Sequence, residues 1–365
     1  MTARRDATAE APESGANGEE ASEDARRLLR MMLLVRRFEE RTEEQYTRAR
    51  IGGYCHLAIG EEAANVGAID ALVEGDYLFA SYRDHAAALA IGSDPAAIMA
   101  ELFGKRTGVA GGFGGSMHLL DVERHFLGGW GIVGGHLPIA VGAALALDYT
   151  DASNAVLCQF GDGATNTGAF HEALNLAVIW DLPIVFQVIN NLYGMGTSVE
   201  GASAEPELYK RAEAYRMLGE RVDGNDLLAV REAAGRLLQR AREERKPALL
   251  ETLSYRYRGH SVADAGKVYR SREEVESWRE RDPIARFASR LEEQGILAPG
   301  DLDAMRKDVS TEVASAIREA ATAQAPDVAA LADNVYADAG TDEQFARMRI
   351  AGPFGEREGT ESWRT

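Results

Sequence analysis

The sequence predicts an α/β fold, a mostly parallel sheet with helices on both faces. Three observations carry this expectation. The run Ala155-Val156-Leu157-Cys158-Gln159-Phe160 is short, apolar and β-prone, and it stops at Gly161-Asp162-Gly163. A stretch with apolar positions at helical spacing follows, from about Thr165 to Trp180, and a second β-prone run, Pro183 to Ile189, stops at Asn190-Asn191. A third β-prone run, Ala248 to Tyr255, comes after another helical stretch over 226–244. A strand–helix–strand unit of this kind calls for parallel strands joined by a right-handed crossover.

The remaining elements follow in chain order. Residues 1–22 are rich in Ala, Glu, Gly and Ser and are expected to form a disordered tail. A helix should begin near Ser22, with Leu28, Met32, Leu33 and Phe38 as its core stripe. Residues 60–103 look helical, with a break at Gly92-Ser93-Asp94-Pro95. Residues 104–135 are glycine-dense, but Phe113, Met117, His118, Phe126, Trp130 and Ile132 interrupt the glycines. A flexible linker has no use for such anchors, so packed loops that approach a ligand are expected. Residues 137–147 and 206–219 read as helix, and Arg221-Val222-Asp223 as a short strand. Residues 259–270 read as a loop, and the chain from there to about Leu331 as mostly helix, opened by Ser271-Arg272-Glu273-Glu274 at capping-box spacing. One domain over 23–340 and a C-terminal tail over 341–365 are expected.

Composition excludes several classes. Hydrophobic residues make up 45% of the 365, yet no apolar run has the length of a membrane span. Residues 1–18 have no apolar core, so no signal peptide is expected. A formal charge of −18 argues against non-specific nucleic-acid binding. The two cysteines, Cys55 and Cys158, cannot build a multi-bridge framework and fit a reducing, cytoplasmic location.

The chemistry converges on one sheet edge. Parallel strands ending at Asp162 and at Asn191 place both residues where open α/β sheets bind ligands. Magnesium takes one or two carboxylates and completes its shell with phosphate oxygens and water. Asp162 can supply the charge and Asn191 a neutral oxygen. The glycines allow close approach to a phosphate, and the helix that follows aims free N–H groups at the same place. Either motif alone is an ordinary turn; in this order, around this unit, they read as a magnesium and diphosphate site. A dinucleotide-binding Rossmann site would need a third glycine, and Asn166 stands there instead.

The segment Gly161 to Asn191 resembles the thiamine diphosphate motif. The match extends to Cys-His-Leu (55–57), Ser-Tyr-Arg-Asp-His (81–85), Gly-Gly-Ser-Met-His (114–118), Gly-Ile-Val-Gly (131–134), Gly-Asp-Gly-Ala-Thr-Asn-Thr-Gly (161–168), Asn-Asn-Leu-Tyr-Gly-Met-Gly-Thr-Ser (190–198) and Tyr-Arg-Gly-His-Ser (257–261). Together these blocks are similar to the alpha subunit of the decarboxylating component of 2-oxo acid dehydrogenase complexes, from about Arg27 to about Tyr336. The resemblance implies the diphosphate-binding half of the thiamine diphosphate-binding fold.

The same resemblance implies roles. Asp162, Asn191 and the carbonyl of Tyr193 would hold magnesium. Gly163, Ala164, Tyr82 and Arg83 would contact the diphosphate of thiamine diphosphate. Gly131 and Val133 would meet the aminopyrimidine through their backbones. Of the seven histidines, His56 and His260 match family residues at the active-site mouth, with His260 also touching the cofactor. Ser261 matches a serine phosphorylated in animal relatives, although a loop hydrogen bond is the plainer reading. Arg258 departs from those relatives without disturbing an assigned role, Val268 stands where they carry a second serine, and Ala265 where they often carry proline. A glutamate that activates the cofactor is supplied in the family by a separate beta subunit, so a heterotetramer of two alpha and two beta subunits is implied. The implied reaction is oxidative decarboxylation of a 2-oxo acid and transfer of the acyl unit to a lipoyl group on an acyltransferase component. The block 193–198 resembles that of pyruvate-acting members; acetoin and branched-chain 2-oxo acid enzymes are the alternatives.

Overall fold

A computed structural model of the protein describes residues 16–330. Its elements run α1 (Ala16–Thr47), α2 (Glu62–Ile69), β1 (Tyr77–Ser81), α3 (His85–Ala90), α4 (Pro95–Leu102), β2 (Phe126–Trp130), α5 (Leu137–Tyr149), β3 (Val156–Gly161), α6 (Gly168–Ile179) and β4 (Ile184–Asn190). Then come a small hairpin of β5 (Tyr193–Gly194) and β6 (Thr197–Ser198), α7 (Val199–Ala202), β7 (Leu218–Asp223), α8 (Leu227–Glu244), β8 (Ala248–Leu253), α9 (Arg272–Arg279), α10 (Pro283–Glu293) and α11 (Asp301–Thr322). Six strands form one sheet in the order β2-β1-β3-β4-β8-β7. Every pairing in it is parallel, as expected.

Side chains alternate across the sheet with the period of two that a strand imposes. Leu78, Ala80, Leu157, Val185, Ala248 and Leu250 face one core, shared with α1, α3, α4, α8, α10 and α11. Phe79, Val156, Cys158, Phe160, Phe186 and Leu249 face the other, covered by α5 and α6. All seven residues of β4 are buried, which is why such a strand reads as a continuous apolar run rather than an alternating one.

Several expectations need correction. The first helix begins at Ala16, six residues before Ser22 and inside the stretch expected to be a tail. Residues 60–103 are not purely helical: β1 lies inside them. It is only five residues long, and both of its neighbours in the sheet come later in the chain. Residues 206–219 form a 3-10 turn over Leu208–Tyr215 and then enter β7. The expected C-terminal tail, 341–365, lies outside the described residues, as does the start of the N-terminal one.

The glycine-dense stretch is packed, as expected, and one side chain organises it. Glu101 on α4 is fully buried. One of its oxygens accepts from the amides of Ala110 and Gly112 at 2.9 and 2.8 Å, the other from those of Gly114 and Gly115 at 2.7 and 3.1 Å. Four backbone donors thus satisfy one carboxylate that is shut away from solvent. Each hydrogen bond to a charged group contributes about 1.5–3 kcal/mol, so this cluster fixes the loop. Replacing Glu101 by Ala is expected to speed amide hydrogen exchange across residues 108–116 by about tenfold or more in the assembled enzyme; unchanged exchange would show that the loop is held by something else.

Candidate active site

Five adjacent strands deliver the site from their carboxyl ends. β2 leads into Gly131, β1 into Tyr82 and Arg83, β3 into Asp162, and β4 into Asn191. β3 and β4 are in register, with Gly161 opposite Ile189, so Asp162 and Asn191 emerge side by side. β8 aligns Leu253 with Asn190, and the amide of Ser254 still donates to the Asn190 carbonyl at 2.8 Å before the chain turns to Arg256. The result is a cleft of about 610 Å³. Its lining includes His56, Tyr82, Arg83, Gly131, Val133, Asp162, Gly163, Ala164, Asn191, Tyr193 and His260, which are all the residues the sequence singled out.

The oxygen-rich end is built around Asp162, buried at the start of a 3-10 turn over Asp162–Asn166. Burial pushes its carboxyl up to about 6. Asn191 turns its amide nitrogen to the buried carboxylate of Glu61, 2.7 Å away, and its Oδ1 to Arg256. The Nη1 of Arg256 donates both to Asn191 Oδ1 at 3.2 Å and to the Tyr193 carbonyl at 3.1 Å. Those are the two neutral oxygens expected to meet a metal, and here they already face a cation. Behind them, the Tyr193 and Tyr255 hydroxyls share Glu274 on α9.

The histidine-bearing loops close the mouth. Arg83 donates to the carbonyls of Leu57 at 2.7 Å and His260 at 3.0 Å, and the amide of Val262 donates to Cys55 at 2.9 Å. His56 and His260 are thereby brought to a ring separation of 5.0 Å, with Tyr82 against both. Their Nδ1 atoms are buried and have no hydrogen-bond partner among the described residues. Asp264 fixes the second loop. It accepts from the amides of His260 and Gly266 and from the Tyr269 hydroxyl, and these bonds hold its carboxyl down to about 2 against the opposing effect of burial. Gly259 makes this fold possible: a Cβ there would stand 1.8 Å from the Asp264 carbonyl oxygen. Ser261 is buried beside His260 in the cleft wall, and its carbonyl accepts from the Asp264 amide.

These features fit thiamine diphosphate with magnesium. A buried carboxylate, an amide oxygen and a carbonyl converge with two guanidiniums, and orphaned imidazole nitrogens line the same wall. Among the described residues no cluster of three or more His, Cys, Asp or Glu could hold a metal alone, so phosphate oxygens would be needed to complete the shell. The sequence reading missed Arg256 and Glu61. Arg256 lies between two tyrosines in a run that looks like continuing strand, and Glu61 sits in an unremarked Gly-Glu-Glu at the head of α2. Met195 is largely exposed at the cleft. His85, by contrast, is satisfied in the core, between Glu39 and Ser116.

Burial, reinforced by Arg83, holds the His56 imidazole down to about 2 and that of His260 to about 4. Both rings are therefore neutral at physiological pH. Carbon-13 NMR of labelled histidines in the assembled enzyme is expected to show them in the neutral form from pH 8 down to about 5. A midpoint near the ordinary value of about 6.5 would show that the mouth is open to water.

Comparison with known proteins agrees with this geometry. Residues 30–329 match the family described as the dehydrogenase E1 component. The pyruvate dehydrogenase E1 component subunit alpha of Rhizobium meliloti (strain 1021) is 43% identical over 318 residues, covering 87% of this chain and 91% of that one. That of Rickettsia felis (strain ATCC VR-1525 / URRWXCal2) is 41% identical over 306 residues, 84% of this chain and 93% of its own. That of Porphyra purpurea is 39% identical over 314 residues, with 84% and 91% covered. Matched over most of its length by the family and by relatives of nearly equal extent, the chain belongs to the dehydrogenase E1 component family.

Proposed function

We propose that the chain is the alpha subunit of a pyruvate dehydrogenase that works through thiamine diphosphate and magnesium. The observation that carries this reading is the convergence of Gly131, Arg83, Asp162, Asn191 and Arg256 on one cleft at the carboxyl edge of a parallel sheet. Asp162, Asn191 Oδ1 and the Tyr193 carbonyl would hold magnesium. Arg83, Tyr82 and His260, with the backbone at Gly163 and Ala164, would hold the diphosphate, with the buried charge of Arg256 beside them; guanidinium groups suit such an anion. Gly131 and Val133 would meet the aminopyrimidine. Thiamine diphosphate, when bound, supplies the electron sink that lets a 2-oxo acid lose carbon dioxide. The chain's own residues bind, orient and screen. His56 and His260, both neutral, can hydrogen-bond a substrate carboxylate at the mouth without adding charge to it. Pyruvate as substrate is supported by the names of the relatives.

Two observations support a beta subunit. Among the described residues the only carboxylates that line the cleft are Asp162 and Asp264, and Asp264 is already committed to three donors. A free glutamate for activating the cofactor would come from another chain. Ile132 and Val133 are exposed beside the cleft, and Ile139 and Leu145 on α5 and Ile179 and Trp180 at the end of α6 are exposed as well. Exposed large apolar side chains of this kind would suit a partner's surface. The heterotetramer of two alpha and two beta subunits would hand its acetyl product to the lipoyl group of an acyltransferase. Both cysteines are free and buried, in keeping with a reducing, cytoplasmic setting. No helix among the described residues is long and apolar enough to cross a membrane.

The chain alone is expected to show no 2-oxo acid decarboxylation and to gain it when the beta subunit is added. In that reconstituted enzyme, kcat/KM for pyruvate should exceed that for 3-methyl-2-oxobutanoate and for acetoin. Sustained turnover by the lone chain would sink the two-subunit reading; a higher kcat/KM for either rival would overturn the substrate. Asp162→Ala is expected to weaken magnesium-dependent binding of thiamine diphosphate by on the order of 100-fold in calorimetry, because it removes the charged ligand. Unchanged affinity would remove Asp162 from the metal site.

A further inference from the structure

We propose that Glu61 is a positioning residue that makes Asn191 an oxygen ligand, by fixing which end of its amide faces the metal; this rests on the metal site proposed above. An asparagine amide has nearly the same shape either way round, but only its oxygen can ligate magnesium. The surroundings of Asn191 are polarised from both sides. Its Nδ2 donates to Glu61 Oε1 at 2.7 Å, and a carboxylate only accepts. Its Oδ1 accepts from Arg256 Nη1 at 3.2 Å and from the Tyr193 amide at 3.4 Å. Flipping the amide would set oxygen against carboxylate on one side and N–H against two donors on the other. The donor side changes when a cation claims Oδ1. The acceptor side does not, so Glu61 is what keeps the orientation once metal is bound.

Hydrogen bonding ties the Glu61 side chain to Asn191 alone among the described residues. It is 2% exposed at the head of α2. Its neighbour Glu62 is committed to structure, accepting from the Gly60 amide and from Arg36. The carboxylate of Glu61 makes one hydrogen bond among the described residues, the one to Asn191, and stands 3.9 Å from Arg83 Nε. A buried carboxylate with so few bonds is costly to keep. Its single bond points at a metal ligand.

The test measures magnesium affinity at saturating thiamine diphosphate in the reconstituted enzyme, by calorimetry and by tryptophan fluorescence. Glu61→Leu is expected to weaken magnesium about tenfold or more, and Glu61→Gln, whose amide oxygen can still accept from Nδ2, to stay within about threefold of the parent. In an Asn191→Asp background, where no amide needs orienting, Glu61→Leu should cause no further loss. An unchanged affinity in Glu61→Leu, or the same loss in both backgrounds, overturns the proposal. Asp162→Ala separates the two readings: if it abolishes magnesium binding while Glu61→Leu leaves it intact, the metal site stands and the role of Glu61 falls. If Asp162→Ala has no effect, the metal site itself falls.

Discussion

A guanidinium shut away from water must find an acceptor for every N–H, and Arg256 meets that demand inside the cleft wall. It is 1% exposed. Nη1 donates to Asn191 Oδ1 and the Tyr193 carbonyl, Nη2 to the Met195 carbonyl and the Tyr269 hydroxyl, and Nε to the Arg258 carbonyl. That accounts for all five donors of the group. The acceptors come from the end of β4, the β5–β6 hairpin and the loop that carries His260. One buried cation therefore sets the relative positions of three segments with no direct sheet pairing among them.

The charge around it is locally balanced. Arg83 and Arg256 face Glu61 and Asp162, and each of the two acids shows the carboxyl raised by burial and drawn down by Arg256. The chain as a whole carries −18. A polyanionic ligand finds the cations that face it inside the cleft, in Arg83 and Arg256. At physiological salt the Debye length is about 8 Å, so the surface charge is largely screened and the buried guanidiniums are not. Net charge alone gives no hint of an anion site here.

Legibility in the sequence followed the reach of local rules. Asp162 and Asn191 could be placed because two apolar strands and the helix between them fix both ends of one unit. His56 and His260 came from motif likeness, and the contacts that join them, through Arg83 and Val262, are long-range. β1 stayed hidden because Leu78, Phe79 and Ala80 sit among alanine-rich helices and all three are buried, leaving no alternation to read. The stretch 206–219 carried helical spacing, yet the chain tightens into a 3-10 turn and then pairs with β8. Glu61 and Arg256 were invisible for a deeper reason. An acid or an arginine in isolation reads as surface, and only the packed sheet shows each facing Asn191.

The strand order also bears on how the polypeptide matures as it leaves the ribosome. β8 sits between β4 and β7, and among the described residues β7 has no other neighbour in the sheet. β7 is therefore made before the strand it must pair with, and waits through the synthesis of α8. Insertion of β8 then joins both sides at once, within a few seconds of translation at typical elongation rates of about 5–20 residues per second. Arg256 and His260 follow it directly in the chain. The last strand of the sheet to be synthesised is thus the one that carries in the cation and the imidazole, so the cleft has its full lining only once β8 is in place.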